Sequence, residues 1–318
     1  MKFTPIDTSR IKTYSLAGRK SKVEAAGAAK PFVPGSSFRA FLGGLPGILA
    51  ADSFRQVASA VADAKRADGT VALGMGAHPV KVGLSPVIID LMERGIVNAL
   101  ATNGAVVVHD FEMAYQGRTS EDVDAEIGNG SFGMAEETGR LINEAVNAGV
   151  KDGLGIGAAI GRAISEGAFP FAEKSLFAAA YRLGVPATVH VAIGTDIVHM
   201  HPAADGASIG EGSMRDFKLF SSVVASLEGG VYINLGSAVL MPEVFLKAVT
   251  LARNLGSPLA SLTTVNMDFI QGYRPSTNVV RRPTLKGGRG YSLTGHHEIM
   301  FPLLAAAVLE ELEGKAGL

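Results

Sequence analysis

The chain has 318 residues, 47% of them hydrophobic, a formal net charge of −1 and no cysteine. Such a length and apolar content fill one large core or two smaller ones, and a charge near zero leaves no electrostatic footprint for nucleic acid or an anionic membrane. Without thiols there are no disulfides, thiolate zinc sites or cysteine nucleophiles, so any metal would need His and carboxylate ligands.

Residues 1–50 read as an irregular N-terminal arm, mildly basic through Arg10, Lys12, Arg19, Lys20 and Lys22. Its first residues hold no apolar signal core, and no apolar run reaches the ~20 residues that span a bilayer, so a cytoplasmic location and no membrane partner are expected. Residues 51–318 read as a single α/β domain. Ala51–Ala67 has helical periodicity, with Phe54, Val57, Ala58 and Val61 on one face. Thr70–Leu73 is a short strand. Leu84–Arg94 is a helix with Ser85 as N-cap and Pro86 in its first turn, followed by a strand at Ile96–Ala101 and a helix at Val106–Tyr115. A polar, acidic stretch, Gln116–Gly130, interrupts the rhythm as an excursion or lid loop and opens a helical insertion over 116–185. The insertion's helices are predicted at Met134–Gly149, Ala158–Glu166 and Ala172–Leu183. Alternation then resumes: strand Ala187–Ile193, helix Met214–Leu227, strand Gly230–Leu235, helix Pro242–Leu255, strand Leu259–Val265 and a closing helix at Glu298–Glu311. The glycines of 287–295 imply a mobile loop or a close backbone approach. About six strands with helices between them imply a doubly wound, mostly parallel sheet, not the eight even repeats of a (β/α)8 barrel.

All seven histidines fall on or just past short apolar runs, where strands end and turns begin. In open α/β sheets that is the ligand-binding rim. The first such turn, Leu73-Gly-Met-Gly-Ala-His-Pro-Val-Lys81, contains Gly74, Gly76, Ala77, His78 and Lys81; glycines let backbone approach a phosphate and a helix N-terminus offers free N–H groups. The second contains Thr102, Asn103 and Gly104, then His109, Asp110 and Glu112. His109 and Glu112 are three apart on a helix and share a face, which fits a histidine with a carboxylate orienter. The third, Gly194–Gly206, gathers Asp196, His199, His201 and Asp205, as a polar loop for ribose or substrate or, alternatively, as metal ligands. The fourth offers Gly236, Ser237 and Glu243. The fifth ends a strand at Asn266 and Asp268, and the last holds His296 and His297. Several small, polar strand ends on one crevice suit a dinucleotide.

Taken in order, these segments resemble the deoxyhypusine synthase family. The resemblance runs through Leu73-Gly74 with the turn at Gly83, Val97-Asn-Ala-Leu-Ala-Thr-Asn-Gly-Ala105 with His109-Asp110 behind it, Val185-Pro-Ala leading to Thr195-Asp196, Ile233-Asn-Leu-Gly236, and His296-His-Glu-Ile-Met-Phe-Pro-Leu-Leu304. It covers roughly residues 70–310. It implies a Rossmann-like sheet of the deoxyhypusine synthase and sirtuin type, a homotetramer with sites at subunit contacts, and NAD. The cofactor would meet Ala77, His78, Lys81, Thr102, Asn103, Gly104, Asp196, Gly236, Ser237, Asn266, His296 and His297. The chain departs from the family where its catalytic lysine belongs. There is no tryptophan, and the matching stretch is Asn278-Val-Val-Arg-Arg-Pro283; arginine stays protonated and forms no imine.

The expected function is therefore an NAD-binding transferase or oxidoreductase acting by hydride or group transfer on a small polar, possibly amine, substrate, but not by deoxyhypusine synthesis. His109 with Asp110 or Glu112 is the candidate acid/base, His296 or His297 a second proton relay, and Glu243 or Asp268 the holder of a cationic substrate group. Two alternatives stand open: a metal-dependent hydrolase or lyase built on Asp196, His199, His201 and His297, and a catalytically inactive nucleotide-binding oligomer.

Overall fold

The computed structural model describes residues 3–314. Val71–Met75 (β1), Ala99–Asn103 (β2), Ala187–His190 (β3), Val231–Leu235 (β4), Thr263–Asp268 (β5) and Arg289–Thr294 (β6) form one sheet in the order β3-β2-β1-β4-β5-β6, with every neighbouring pair parallel. β1, β4 and β5 are buried throughout. Parallel strands are covered on both faces, which is why these segments read as continuous apolar runs. The fold is the doubly wound, Rossmann-like α/β architecture expected from the sequence, and its strand order is the one associated with dinucleotide-binding sheets.

The principal helices are Leu49–Arg66 (α1), Ser85–Glu93 (α2), Gly104–Gln116 (α3), Glu136–Lys151 (α4), Ile156–Glu166 (α5), Leu176–Leu183 (α6), Gly206–Ala225 (α7), Leu240–Asn254 (α8) and His297–Glu313 (α9). Side chains alternate between the faces of each strand. Ala72 and Tyr232 pack against Phe220 and Val224 of α7 and Phe245 and Val249 of α8, and the Tyr232 ring stacks on Phe245 at 3.7 Å. Leu73 and Ile233, one residue on, meet Val61, Leu91, Phe301 and Leu304 on the other face. Each fully buried side chain of this size contributes about 1.5–3 kcal/mol through apolar burial.

Several boundaries shift by a few residues, as β5 does from Leu259–Val265 to Thr263–Asp268, and three further differences have a local cause. Arg289–Thr294 is the edge strand β6 and not a mobile loop. The alternative reading of the glycines there holds, since a Cβ on Gly288 or Gly290 would lie 2.2 Å from the Leu262 or Val280 carbonyl oxygen. Most of the strand's side chains are exposed, so it joins through its backbone ladder and lacks an apolar signature. Ser85 is the first helical residue of α2 and Leu84 takes the cap position without a side-chain bond. α7 starts at Gly206, because Asp205 accepts hydrogen bonds from the Ala207 and Ser208 amides and so nucleates a glycine-rich first turn.

By internal packing the chain divides into Met1–Asp52 and Ser53–Leu318. In the first unit, Phe38–Gly44 forms a short helix capped by Ser37, and Phe38 stacks with Phe41. The second unit contains the sheet, and α4, α5 and α6 occupy the crossover between β2 and β3. No helix among the described residues is long and apolar enough to cross a membrane.

The chain winds outward from β1 through β2 to β3, then returns to lay β4 along the other side of β1. This reversal leaves a crevice outside the carboxyl ends of β1 and β4, the place where open α/β sheets take ligands.

Candidate functional site

A cavity of about 880 Å³ opens at the reversal, within the roughly 300–1,000 Å³ of small-molecule and cofactor pockets. Gly76, Ala77, Asn103, Asp196, Gly236 and Ser237 line it, with Glu243 at its edge. Glycine turns leave backbone open on part of this surface, and apolar side chains such as Ile193, Met214, Phe217 and Val239 line the rest. A Cβ on Gly76 would lie 2.5 Å from the Gly236 carbonyl oxygen, and Gly236 sits at φ 66°, where side chains are disfavoured. Asn234 holds the turn from beneath. Its Nδ2 donates to the Ser237 carbonyl at 2.9 Å and to Asn266 Oδ1 at 2.7 Å, and Asn266 donates to Gln271 at 2.7 Å. α3 and α8 both begin here; Asn103 Oδ1 accepts from the Val106 amide at 3.3 Å and Ser237 Oγ from the Met241 amide at 3.2 Å, and the other first-turn N–H groups border the cavity without intrahelical partners. His190, at the end of β3, also lines it; burial pushes that imidazole down to about 4 and keeps it neutral.

A second cavity of about 410 Å³ adjoins the first, and Ala105, Thr195 and Asp196 line both. Charged side chains surround it: Lys81, Glu112, Arg118 and Glu121, with His109 and Thr119. His109 and Glu112 share a face of α3 as their spacing predicts. Thr119 Oγ1 lies between them, 2.7 Å from His109 Nδ1 and 2.5 Å from Glu112 Oε2, to which it donates. Glu112 Oε1 accepts from Thr138 at 3.0 Å. Burial, assisted by the positive charge of Lys81 and opposed by Glu112, lowers the His109 pKa below its ordinary 6.5, so the ring is neutral at pH 7 and has one free lone pair. Burial raises the Asp196 pKa, against the pull of His199 and a hydrogen bond from Thr195. Gly104 is required beside it: a Cβ there would lie 2.2 Å from Asp196 Oδ2.

A third group follows the same rim over β5 and β6. His78 and His297 approach at 5.4 Å between ring centroids, Phe269 stacks on the exposed His296 at 5.8 Å, and His297 is buried with Nε2 3.7 Å from Asp268 Oδ1. Burial lowers the His297 pKa, with Asp268 opposing. Gly236 joins this group to the larger cavity, since a Cβ there would meet His297 Cε1 at 2.9 Å.

The remaining predicted residues sit in the scaffold. Gly74 is inside β1, where the Tyr232 hydroxyl fills the space a Cβ would need. Thr102 is fully buried and donates to the Thr188 carbonyl. Asp110 is fully buried and accepts from Ser175 Oγ and the Leu176 and Phe177 amides, anchoring the start of α6. Glu243 is tied to Lys247, Asn278 and Arg274. Thr119, Arg118 and Glu121 were not singled out as site residues by the sequence; their only signal was their position in the polar excursion after α3.

Of the four residues of the metal alternative, Asp196, His199, His201 and His297, the first two approach, Oδ2 to Nε2 at 4.0 Å, and no third joins them. His199 Nδ1 accepts from the Gly194 and Asp196 amides at 3.2 and 3.4 Å. His201 Nδ1 accepts from the Ala203 amide at 3.1 Å, and its Nε2 meets Glu136 at 3.2 Å. Both imidazoles are spent on the local backbone turn and a neighbouring carboxylate, and among the described residues no three His, Asp or Glu groups cluster in a metal-holding arrangement.

No family model matches the sequence, and no curated protein matches it. Solved structures do match in fold. The ternary complex of AgrE with ornithine and NAD+ aligns with a TM-score of 0.55 at 17% identity, over 83% of this chain and 34% of that one. A protein provisionally assigned to the LOR/SDH type from Methanococcus maripaludis S2 aligns at 0.53 and 15% identity, over 92% of this chain and 75% of that one. A protein provisionally assigned as a deoxyhypusine synthase from Entamoeba histolytica aligns at 0.50 and 12% identity, over 89% and 96%. The chain thus spans about a third of the length of AgrE. At these identities the likeness is one of fold, which is the level at which the sequence resemblance to deoxyhypusine synthases is met.

Proposed function

We propose that the chain is an NAD-dependent enzyme that oxidises a small amino-acid-like amine, with the dinucleotide in the cavity at the β1/β4 reversal and the substrate in the adjoining one. The observation that carries this reading is the shared wall: Ala105, Thr195 and Asp196 border both spaces, so a group bound in one reaches a group bound in the other. The larger cavity fits the cofactor. Its glycine turns at Gly76 and Gly236 leave backbone open, and the first turns of α3 and α8 offer N–H groups to a pyrophosphate. Asn103, Ser237 and Asp196 supply polar contacts for ribose, and the Phe269–His296 stack with His78 extends the rim.

When bound, NAD+ supplies the hydride acceptor. The chain's own residues then have distinct tasks. Neutral His109 would take one proton from the substrate's reacting ammonium nitrogen, freeing the lone pair that forms the carbon–nitrogen double bond of an iminium when the adjacent carbon is oxidised. Asp196 and Glu121 hold ammonium groups. Lys81 and Arg118 bring positive charge to the same cavity. A polyamine would meet those cations unfavourably, whereas an amino acid carries both signs. AgrE, whose complex contains ornithine and NAD+, supports the choice. The exposed Ile193, Met214 and Val239 around the larger cavity support a homo-oligomer in which a second copy covers the mouth.

The test is direct. NAD+ at 100 times its dissociation constant adds about 2.7 kcal/mol of stability, read as a rise in unfolding temperature, and a panel of amino acids and diamino acids then yields NADH absorbance. No shift with NAD+ overturns the reading. A shift without turnover of any amine would make the chain a nucleotide-binding protein instead.

A further inference from the structure

The cavity around His109 is closed by a segment whose backbone is bent to deliver one hydroxyl. α3 ends at Gly117 with φ 73°, and Ser120 has φ 75° although it is not glycine. A non-glycine residue is held in that region only when its surroundings compel it. Between the two left-handed residues stands Thr119, turned back onto α3. The segment is tied down further along, where Glu121 accepts from the Gly133 amide at 2.8 Å.

The hydroxyl of Thr119 has a single proton. A carboxylate offers only acceptors, so the 2.5 Å contact to Glu112 Oε2 consumes that proton. The same oxygen is 2.7 Å from His109 Nδ1 and has only lone pairs left to offer. The ring nitrogen must then be the donor. Thr138 donates to the other Glu112 oxygen and fixes the carboxylate at the far end of the chain.

We propose that Thr119 is a positioning residue that locks His109 in the Nδ1–H tautomer, leaving Nε2 as the lone pair that accepts the substrate's proton. The role of Nε2 rests on the function proposed above; the tautomer does not. The segment 117–121, folded onto α3, therefore prepares the base by leaving the imidazole one proton position.

Histidine-selective 15N labelling of the full chain tests this without any substrate. His109 is assigned by its absence in His109→Gln, and its two ring nitrogens are read at neutral pH. In the unmodified protein Nδ1 is expected to carry the proton and Nε2 to show the shift of a bare lone pair. Thr119→Ser keeps that pattern, and Thr119→Val loses it, with Nε2–H becoming populated. An Nε2–H tautomer in the unmodified protein overturns the proposal even if Thr119→Val does not fold, and so does an Nδ1–H tautomer that survives Thr119→Val. Failure of NAD+ to bind leaves these readings intact, so the two inferences fail separately.

Discussion

The two cavities that meet at Asp196 are made of different material. The larger combines glycine turns, strand ends and helix starts, braced below by Asn234 and Asn266, with uncharged side chains such as Ile193, Ile209, Met214, Phe217 and Val239. The smaller is built from side chains, with cations, carboxylates and an imidazole brought together by one folded-back segment. Backbone surfaces recognise what is common to a class of ligands, such as a phosphate. Converging side chains discriminate one substrate from another and move protons. In the function proposed above, the division is between a shared cofactor on one side and a particular substrate on the other.

The sharpest way to break this comparison is at His109. His109→Gln is expected to lower turnover by roughly 10²–10⁴-fold, the contribution of a positioned base, while the unfolding-temperature rise with NAD+ persists. Loss of both would mean the cavities are not separable. The scaffold behind the larger cavity has its own signature. Asp216 of α7 accepts from the Gly157 and Val189 amides at 3.0 and 2.8 Å, and burial pushes it from 3.8 up to about 7; Asp110 rises to about 6 for the same reason. The folded state then retains protons that the unfolded chain releases above pH ~4. Their contribution is complete below that pH and is lost as pH climbs through about 7. The unfolding free energy from urea titration should fall over this window, by a ceiling of about 4 kcal/mol for Asp216, and Asp216→Asn should flatten the slope. Gly76→Ala forces a methyl toward the Gly236 carbonyl and should cost about 1–3 kcal/mol in urea unfolding, together with the NAD+ shift. Ser120→Gly relieves a left-handed serine and should change stability by only about 1 kcal/mol, while amide exchange across 117–121 accelerates.

The same contrast decides what was legible in the sequence. Backbone sites advertise themselves through apolar runs ending in glycine, so the turns at Gly76, Asn103, Gly236 and Ser237 and the sheet class were readable. His109 with Glu112 followed from helical spacing. Asp110, one residue from His109, is rotated by about 100° around α3 into the core, where Ser175 and two amides claim it. Thr119 was hidden because a loop has no periodicity to say where it folds back. β6 was hidden because an edge strand needs no apolar face, and Gly290 and Arg289 read as a loop. His199 stays beside Asp196, whereas His201, two residues on, turns away to the Ala203 amide and Glu136, a divergence that spacing alone does not encode.

The side chains of Asn234, Asn266 and Gln271 form a row of amides across neighbouring strand ends. Amides neither gain nor lose protons in water. The platform beneath the larger cavity therefore keeps the same electrical character from acid to alkali, and acidity can reach a molecule resting there only through the imidazoles and carboxylates that stand above it.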